Sequence, residues 1–220
     1  MANAREILSR MNSVRDTRKI TNAMYLISSN KLRKSKQMLE DTEPYFYTLQ
    51  AVIQRILRHI PDIQHPYFSD SRLKNEDEKS RALVVITGDK GLAGAYNHNV
   101  LKAAQDWMER GANHHLYVVG ELGRQYFAAK HMPVEEQFHY TVQNPTMHRA
   151  RRISSVLMED YESGKIDEVW ILFTQMVNSL SEEVQLKQLL PLQRESFQNV
   201  KIPVSMIQEE IQMVPTPQAV

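Results

Sequence analysis

Cysteine is absent from the 220-residue sequence, which excludes disulfides, thiolate metal ligands and a cysteine nucleophile. No apolar run approaches the roughly 20 residues that a helix needs to cross a bilayer. The N-terminus also lacks the continuous apolar core of a signal peptide. Apolar residues make up 42% of the chain and charged residues 24%, which is typical of a folding chain. The sequence therefore predicts a soluble or peripherally attached protein.

Glycine is missing from the first 87 residues, and proline from residues 1–43, so this stretch contains no helix breaker. Apolar and small residues recur there at steps of three and four, which predicts a helix close to a heptad repeat; they include Ile7, Met11, Val14, Thr21, Met24 and Leu32. Forty helical residues extend about 60 Å, so we expect this helix to need a second helix along its apolar stripe.

Charge is distributed unevenly along the chain. Residues 1–36 contain nine basic and two acidic side chains, whereas residues 81–220 contain 13 basic and 16 acidic ones. A long basic helix favours an acidic partner, although a solvated surface helix is an open alternative. A nucleic-acid-binding arm is a further alternative, but Tyr25 is the only aromatic residue in the arm, and no nucleic-acid-binding motif accompanies the charge. We expect no nucleic-acid partner.

Prolines and polar residues divide the chain into four predicted segments. Pro44 should kink or restart the helix, and Tyr45 to Ile60 should continue it. The segments are a helical shaft over residues 1–60, a polar linker over 61–80, an α/β body over 81–200 and a proline-rich connector over 201–220.

The body combines short apolar runs with helical patterns. Strands are predicted at Ala82–Thr87, Leu116–Val119 and Glu168–Thr174, with a weak one at 135–141 and a half-exposed one at Val184–Leu190, for which an antiparallel orientation is an open alternative. Helices of ten to fifteen residues between these strands predict a small, Rossmann-like, doubly wound α/β domain with right-handed crossovers.

The turn Gly88–Gly94 follows a buried strand and opens a helix, which is where doubly wound folds bind phosphate. It matches neither GxGxxG nor GxxxxGK[ST], so a nucleotide-binding protein is the alternative rather than the preferred interpretation. Lys90 is then a surface charge at the tip of the turn. The eight histidines include no pair at the i, i+4 spacing of metal ligands. We expect no catalytic, cofactor-binding or metal-binding residues.

Two segments resemble one protein family. Residues Ile7 to Lys36 resemble the N-terminal helix of the gamma subunit of F-type ATP synthases, and Ile86 to Asn97 (ITGDKGLAGAYN) are similar to that family's I-T-S-D-R-G-L-C-G-x-x-N. In the first segment the matching residues are Val14, Thr17, Lys19, Ile20, Thr21, Ala23, Met24, Lys31, Leu32 and Arg33.

The resemblance implies a non-catalytic rotor subunit of a bacterial F-type ATP synthase. Such a rotor turns inside a ring of alpha and beta subunits and stands on the membrane c-ring beside the epsilon subunit. It would lie peripherally on the cytoplasmic face of the cell membrane, attached through the complex. By this resemblance the residues facing the ring are Met24, Lys31, Arg33, Lys34 and Lys90.

The sequence departs from the family pattern at several positions. Gly88 and Ala93 replace the usual Ser and Cys, and Asn22 replaces a common Lys. The family's second long helix should follow the last residues, MVPTPQAV, so we expect the sequence to be a fragment of a longer gene product.

Overall fold

A computed structural model describes residues 4–60, 65–68, 75, 78–111, 113–136, 138–178 and 181–198. The contacts divide the chain into two units, Met1–His59 with Asn199–Val220 and Ile60–Gln198. The predicted connector over 201–220 lies outside the described residues, as does most of the predicted linker over 61–80.

Among its described residues the first unit contains one helix, α1, which spans Ala4–His59 without interruption. A restart of the helix at Pro44 is excluded, because Pro44 lies inside α1; the kink at Pro44 stays a prediction. Proline removes one helical N–H···O bond, and the carbonyl left without that donor belongs to Glu40, which is exposed and therefore open to water. The helix continues through the proline, and one turn later the Thr48 hydroxyl donates to the Pro44 carbonyl oxygen at 2.8 Å.

No residue of α1 is buried, although the helix has 56 residues and a length of about 84 Å. Large apolar side chains stay exposed along it, among them Ile7, Met11, Val14, Met24, Leu32 and Leu39. The predicted long, thinly apolar helix is confirmed.

The second unit is an α/β body built on one four-stranded sheet. Its elements are β1 (Arg81–Ile86), α2 (Tyr96–Met108), β2 (His114–Val119), α3 (Glu121–Ala129), α4 (Met147–Glu162), β3 (Glu168–Met176), β4 (Glu182–Leu190) and α5 (Glu195–Gln198). The strand order is β2-β1-β3-β4. β1 is parallel to β2 and β3, whereas β4 is antiparallel to β3. The predicted α/β fold is confirmed, with the antiparallel edge strand that the half-exposed pattern indicated.

Side chains alternate across the sheet and form two apolar cores, one on each face. From β1, Ala82 and Val84 enter one core together with Leu157 of α4. Leu83 and Val85 enter the other core, which α2 and α3 cover. Because both faces of the sheet are covered, the sequences of its central strands are unbroken apolar runs.

The predicted weak strand at 135–141 is wrong. This segment follows β2 with scattered hydrogen bonds, from Glu135 N to Leu116 O and from Gly120 N to Tyr140 O, and with one isolated bridge between Val119 and Tyr140. Its apolar signal comes from Phe138, which is completely buried against the sheet. An apolar side chain that fills a core produces the same local signal as a short strand.

The carboxyl end of β1 packs closely against the start of α3. The hydroxyl of Thr87, which is fully buried, accepts a hydrogen bond from Gly123 N at 3.1 Å and donates one to Val119 O at 3.2 Å. A Cβ atom on Gly120 would lie 2.3 Å from the Thr87 carbonyl oxygen, and Gly120 has a φ of +107°. Only glycine fits at Gly120.

We therefore predict that Gly120→Ala destabilises the body by about 2 kcal/mol or more, because it adds both a steric clash and an unfavourable φ. Both tryptophans of the chain lie in the body, so urea unfolding followed by tryptophan fluorescence measures the change. Gly91→Ala is the matched control, since a Cβ there meets nothing within 4 Å. Equal unfolding midpoints for the two variants would contradict the prediction.

A histidine is stacked on an aromatic ring at the opposite end of the sheet. The rings of Trp107 and His114 lie 4.1 Å apart and are inclined by 24°. Burial lowers the pKa of His114 below its ordinary value of 6.5, although its hydrogen bond with the Met108 carbonyl oxygen opposes the shift. The folded body thus favours neutral His114.

This lowered pKa predicts a loss of stability in acid. Between the two pKa values the unfolded chain binds more protons than the folded one, so the free energy of unfolding falls as the pH drops below about 6.5. His114→Gln should flatten this dependence between pH 7 and pH 5, measured by urea unfolding. His98→Gln, at an exposed position of α2, is the control and should leave this pH dependence unchanged. If His114→Gln loses as much stability in acid as the wild type does, His114 is not the cause of the loss.

Candidate functional site

The structure places four of the predicted site residues on α1. Met24 and Lys31 are seven residues apart and lie on the same face of the helix, about 20° apart. Lys34 lies about 60° from Lys31 around the helix axis, whereas Arg33 lies on the side of the helix opposite Met24. Met24 is 44% exposed, and the three cations are exposed as well. Met24, Lys31 and Lys34 therefore form a contiguous surface about 15 Å long.

The cations of this surface have no ion-pair partner within the described part of the chain. Elsewhere on α1, Lys19 pairs with Asp16 at 3.1 Å. Unpaired, exposed charges on a helix that buries nothing attract an acidic surface at long range. The surface is therefore electrostatically suited to a carboxylate-bearing partner.

The fifth predicted residue, Lys90, lies in the other unit, in the turn between β1 and α2. Residues 90–95 are all exposed. Leu92, with a φ of 62°, is 91% exposed, and Gly94 has a φ of 55°. The turn thus presents one cation and one apolar side chain to solvent, as a partner-binding loop does.

Asp89 anchors this turn from beneath. Its carboxylate accepts hydrogen bonds from three backbone N–H groups, those of Glu121 at 3.1 Å, Val142 at 3.1 Å and Gln143 at 3.2 Å. Asn97 of α2 adds a fourth contact by accepting from Gly88 N at 2.7 Å. The base of the turn is therefore held while its tip projects.

The same contacts bear on the nucleotide-binding alternative. The Asp89 carboxylate lies within this turn and is fixed there by accepting a hydrogen bond from Glu121 N. A fixed carboxylate repels a second anion such as phosphate. No observation favours nucleotide binding at the turn. Among the described residues, no group of three or more histidine, aspartate or glutamate side chains could hold a metal ion.

The family resemblance identified the exposed cations, but sequence reasoning missed the residue that holds the turn carrying Lys90. The sequence predicted Lys90 at the tip of a turn, and the structure places it there. The anchoring role of Asp89 was not predicted, because its partners Val142 and Gln143 lie 53 and 54 residues away. A carboxylate next to a strand-to-helix turn was the available signal.

The comparisons with known proteins agree with this picture. A model of the ATP synthase family matches residues 3–220. The ATP synthase gamma chain of Caldanaerobacter subterraneus subsp. tengcongensis is 42% identical over 196 residues, covering 89% of this chain and 66% of its own length. That of Ruminiclostridium cellulolyticum is 41% identical over 192 residues, covering 87% and 65%. The chain belongs to the ATP synthase family, and these two curated relatives are gamma chains.

The chain thus spans slightly less than two thirds of the length of these curated relatives, 66% and 65%. Among solved structures, the central stalk and c-ring of the Tetrahymena thermophila mitochondrial ATP synthase is similar at 18% identity and a TM-score of 0.45, covering 82% of this chain and 79% of that chain. A structural likeness at this level carries no functional argument. Within the described residues, no helix combines the length and the apolar character that crossing a membrane requires.

The anchoring of the turn is testable at Asp89. Asp89→Asn removes the charge that the three N–H groups face and turns an amide donor toward them, so we expect the body to lose about 1–3 kcal/mol of stability. Urea unfolding measures this loss. Asp106→Asn, at an exposed carboxylate of α2, is the control and should change stability by less than about 0.5 kcal/mol. Equal effects would show that Asp89 anchors nothing.

Proposed function

We propose that the protein is the central rotor subunit of a bacterial F-type ATP synthase. It transmits torque between ion flow through the membrane sector and nucleotide exchange at the beta subunits. The observation that carries this proposal is α1, a helix of 56 residues with no buried residue in a chain of the ATP synthase family. A helix that leaves so much apolar surface exposed has to be covered, by a second helix along its apolar stripe and by the chains around that pair.

The character of that surface suits rotation. The apolar stripe of α1 is interrupted by hydroxyl side chains, and those of Thr17 and Thr21 donate back to the carbonyl oxygens of Ser13 and Thr17. The two hydroxyls are thus occupied within the helix, so that the threonine side chains present their methyl groups outward. A shaft with shallow apolar contacts can pass through several orientations in its surround without being trapped in one.

The cations supply the contact with the ring in this proposal. Lys31 and Lys34 on α1, together with Lys90 at the tip of the turn, face acidic segments of the beta subunits, and Arg33 contacts the ring from the other side of α1. Met24 lies on the same face as Lys31, where a flexible thioether side chain adapts to changing neighbours. These roles rest on the family resemblance and on the exposure of the side chains.

The proposal extends to partners and location. The alpha and beta subunits surround α1, and the body stands on the c-ring beside the epsilon subunit. The protein then lies peripherally on the cytoplasmic face of the cell membrane. It contributes no catalytic residue, since nucleotide chemistry belongs to the ring.

A triple substitution tests the ring contact. Single exposed ion pairs contribute about 0–1 kcal/mol, so Lys31→Ala, Lys34→Ala and Lys90→Ala are combined. If each contact supplies about 0.5 kcal/mol, the coupled rate should fall by up to roughly tenfold. ATP-driven ion pumping and ATP hydrolysis are measured together in the reconstituted complex.

The matched control removes three other exposed lysines, Lys36, Lys102 and Lys130. It changes the net charge equally and should leave the ratio of pumping to hydrolysis at its wild-type value. A wild-type ratio and rate in the first triple variant would remove Lys31, Lys34 and Lys90 from the ring contact. Failure of the wild-type chain to enter the complex would overturn the rotor proposal itself.

A further inference from the structure

The chain passes between its two units at two places. It leaves the first unit after His59 and returns to it after Gln198. The first connecting segment runs from residue 60 to the start of β1, and the second follows β4, which ends at Leu190. Any force that α1 passes to the body along the chain therefore enters through these two connecting segments.

The first connecting segment is attached to α4 through a turn. Residues 65–68 form this turn, which a backbone hydrogen bond of 2.9 Å closes, with Pro66 at the second position, where proline favours a turn. The ring of Tyr67 packs against the core that α4 covers, and its hydroxyl donates to the Glu162 carboxylate. The hydroxyl of Tyr161, a buried residue of α4, donates to the Pro66 carbonyl oxygen at 2.8 Å.

The second connecting segment is bonded to the same turn. Leu192 N donates to the Tyr67 carbonyl oxygen at 2.6 Å. Tyr67 thus holds both segments, since its side chain reaches α4 and its backbone carbonyl reaches the segment after β4. This group lies entirely within the second unit, and we call it the Tyr67 clamp: Pro66, Tyr67, Tyr161, Glu162 and Leu192.

The clamp lies close to both crossings in the sequence. Six residues lie between His59 and Pro66, and six between Leu192 and the boundary after Gln198. A further attachment of the first segment lies 14 residues later, at Ser80 beside the start of β1. A flexible chain of six residues spans about 14 Å and one of 20 residues about 25 Å. Attachment at Pro66 therefore shortens the length over which the connection can twist.

The contacts of the clamp combine packing with directional bonds. A hydrogen bond to a carboxylate is shorter and stronger than one between neutral groups, and the bond to Glu162 raises the pKa of the Tyr67 hydroxyl above its ordinary value of 10.0. The hydroxyl therefore keeps its proton at neutral pH and remains a donor. Contiguous packed side chains and hydrogen bonds are what carries mechanical coupling through a protein.

We propose that the Tyr67 clamp is the anchor through which torque carried by the two connecting segments enters the body. Tyr67 is a positioning residue in this role, because it fixes the two segments to each other and to α4. When the clamp opens, the segments can twist before the body follows. This inference rests on the proposed function, because a rotor is what carries torque, and it is separate from the ring contacts of Lys31, Lys34 and Lys90.

The first test measures the clamp in the full chain. Tyr67→Phe combined with Tyr161→Phe removes both side-chain hydrogen bonds of the clamp and keeps the two rings. Because the clamp then opens more often, the Leu192 N–H should exchange with deuterium roughly tenfold faster or more. The N–H groups of β1 should keep their wild-type exchange rates, which shows that the body stays folded.

The matched control also removes two tyrosine hydroxyls from the body. Tyr117→Phe combined with Tyr126→Phe deletes the hydrogen bonds to Asp160 and Gln105, which hold neither connecting segment. The Leu192 N–H should exchange in this variant at its wild-type rate.

The second test measures torsional stiffness in the assembled complex. The ring is fixed to a surface, and a gold particle is attached before assembly to a single cysteine, placed by Ser155→Cys in this cysteine-free chain at an exposed position of α4. The angular variance of the resting particle is inversely proportional to the torsional stiffness between the ring and the body. In the clamp variant it should rise roughly twofold or more, whereas the control variant should match the wild type.

The outcomes separate the two proposals. A wild-type exchange rate for the Leu192 N–H in the clamp variant shows that the two hydroxyls do not hold the segments, and it overturns the inference. Faster exchange with an unchanged angular variance also overturns it, because the clamp then carries no torque. Both results leave the rotor proposal standing. Failure of the wild-type chain to assemble overturns the rotor proposal, and the inference fails with it.

Discussion

The Asp89 carboxylate is the interaction on which the arrangement of the body's surfaces depends. It bonds the first residue of α3 and two residues of the loop before α4, so one side chain joins the turn after β1 to structures on both faces of the sheet. Buried or partly buried backbone N–H groups need an acceptor, and a carboxylate meets three of them at once. The turn that carries Lys90 and the start of α4 are therefore positioned by the same residue.

The close packing beside Asp89 explains the glycine pattern of this region. Thr87 approaches α3 so closely that Gly120 and Gly123 have no room for a Cβ atom. The tip of the turn has the opposite character, because nothing lies within 4 Å of a Cβ placed on Gly91 or Gly94. The body thus combines a rigid base with an exposed tip, which suits a contact that must be held in place while it meets different partners.

The surface of α1 is not explained by folding alone. The helix keeps its cations and many of its large apolar side chains exposed. Exposed apolar surface of this extent is costly in water, so it indicates a surface that other protein segments cover. The unpaired lysines beside it favour an acidic partner.

Much of the architecture follows from local patterns in the sequence. A breaker-free stretch with three- and four-residue spacing determines α1, and short apolar runs determine β1, β2 and β3, because helix and strand periodicities are local properties. The choice of Lys31, Lys34 and Lys90 came from the family resemblance, because local charge alone does not distinguish them from the other cations of the chain.

Tertiary structure decided the rest. Phe138 gives a strand-like signal, and only its burial in the core shows that it fills a space. The anchoring by Asp89 joins residues more than fifty positions apart, and the hydrogen bond between Leu192 and Tyr67 joins residues more than a hundred positions apart. The sequence by itself thus determined the elements and the family, whereas long-range packing decided which side chains are buried and which stay available to partners.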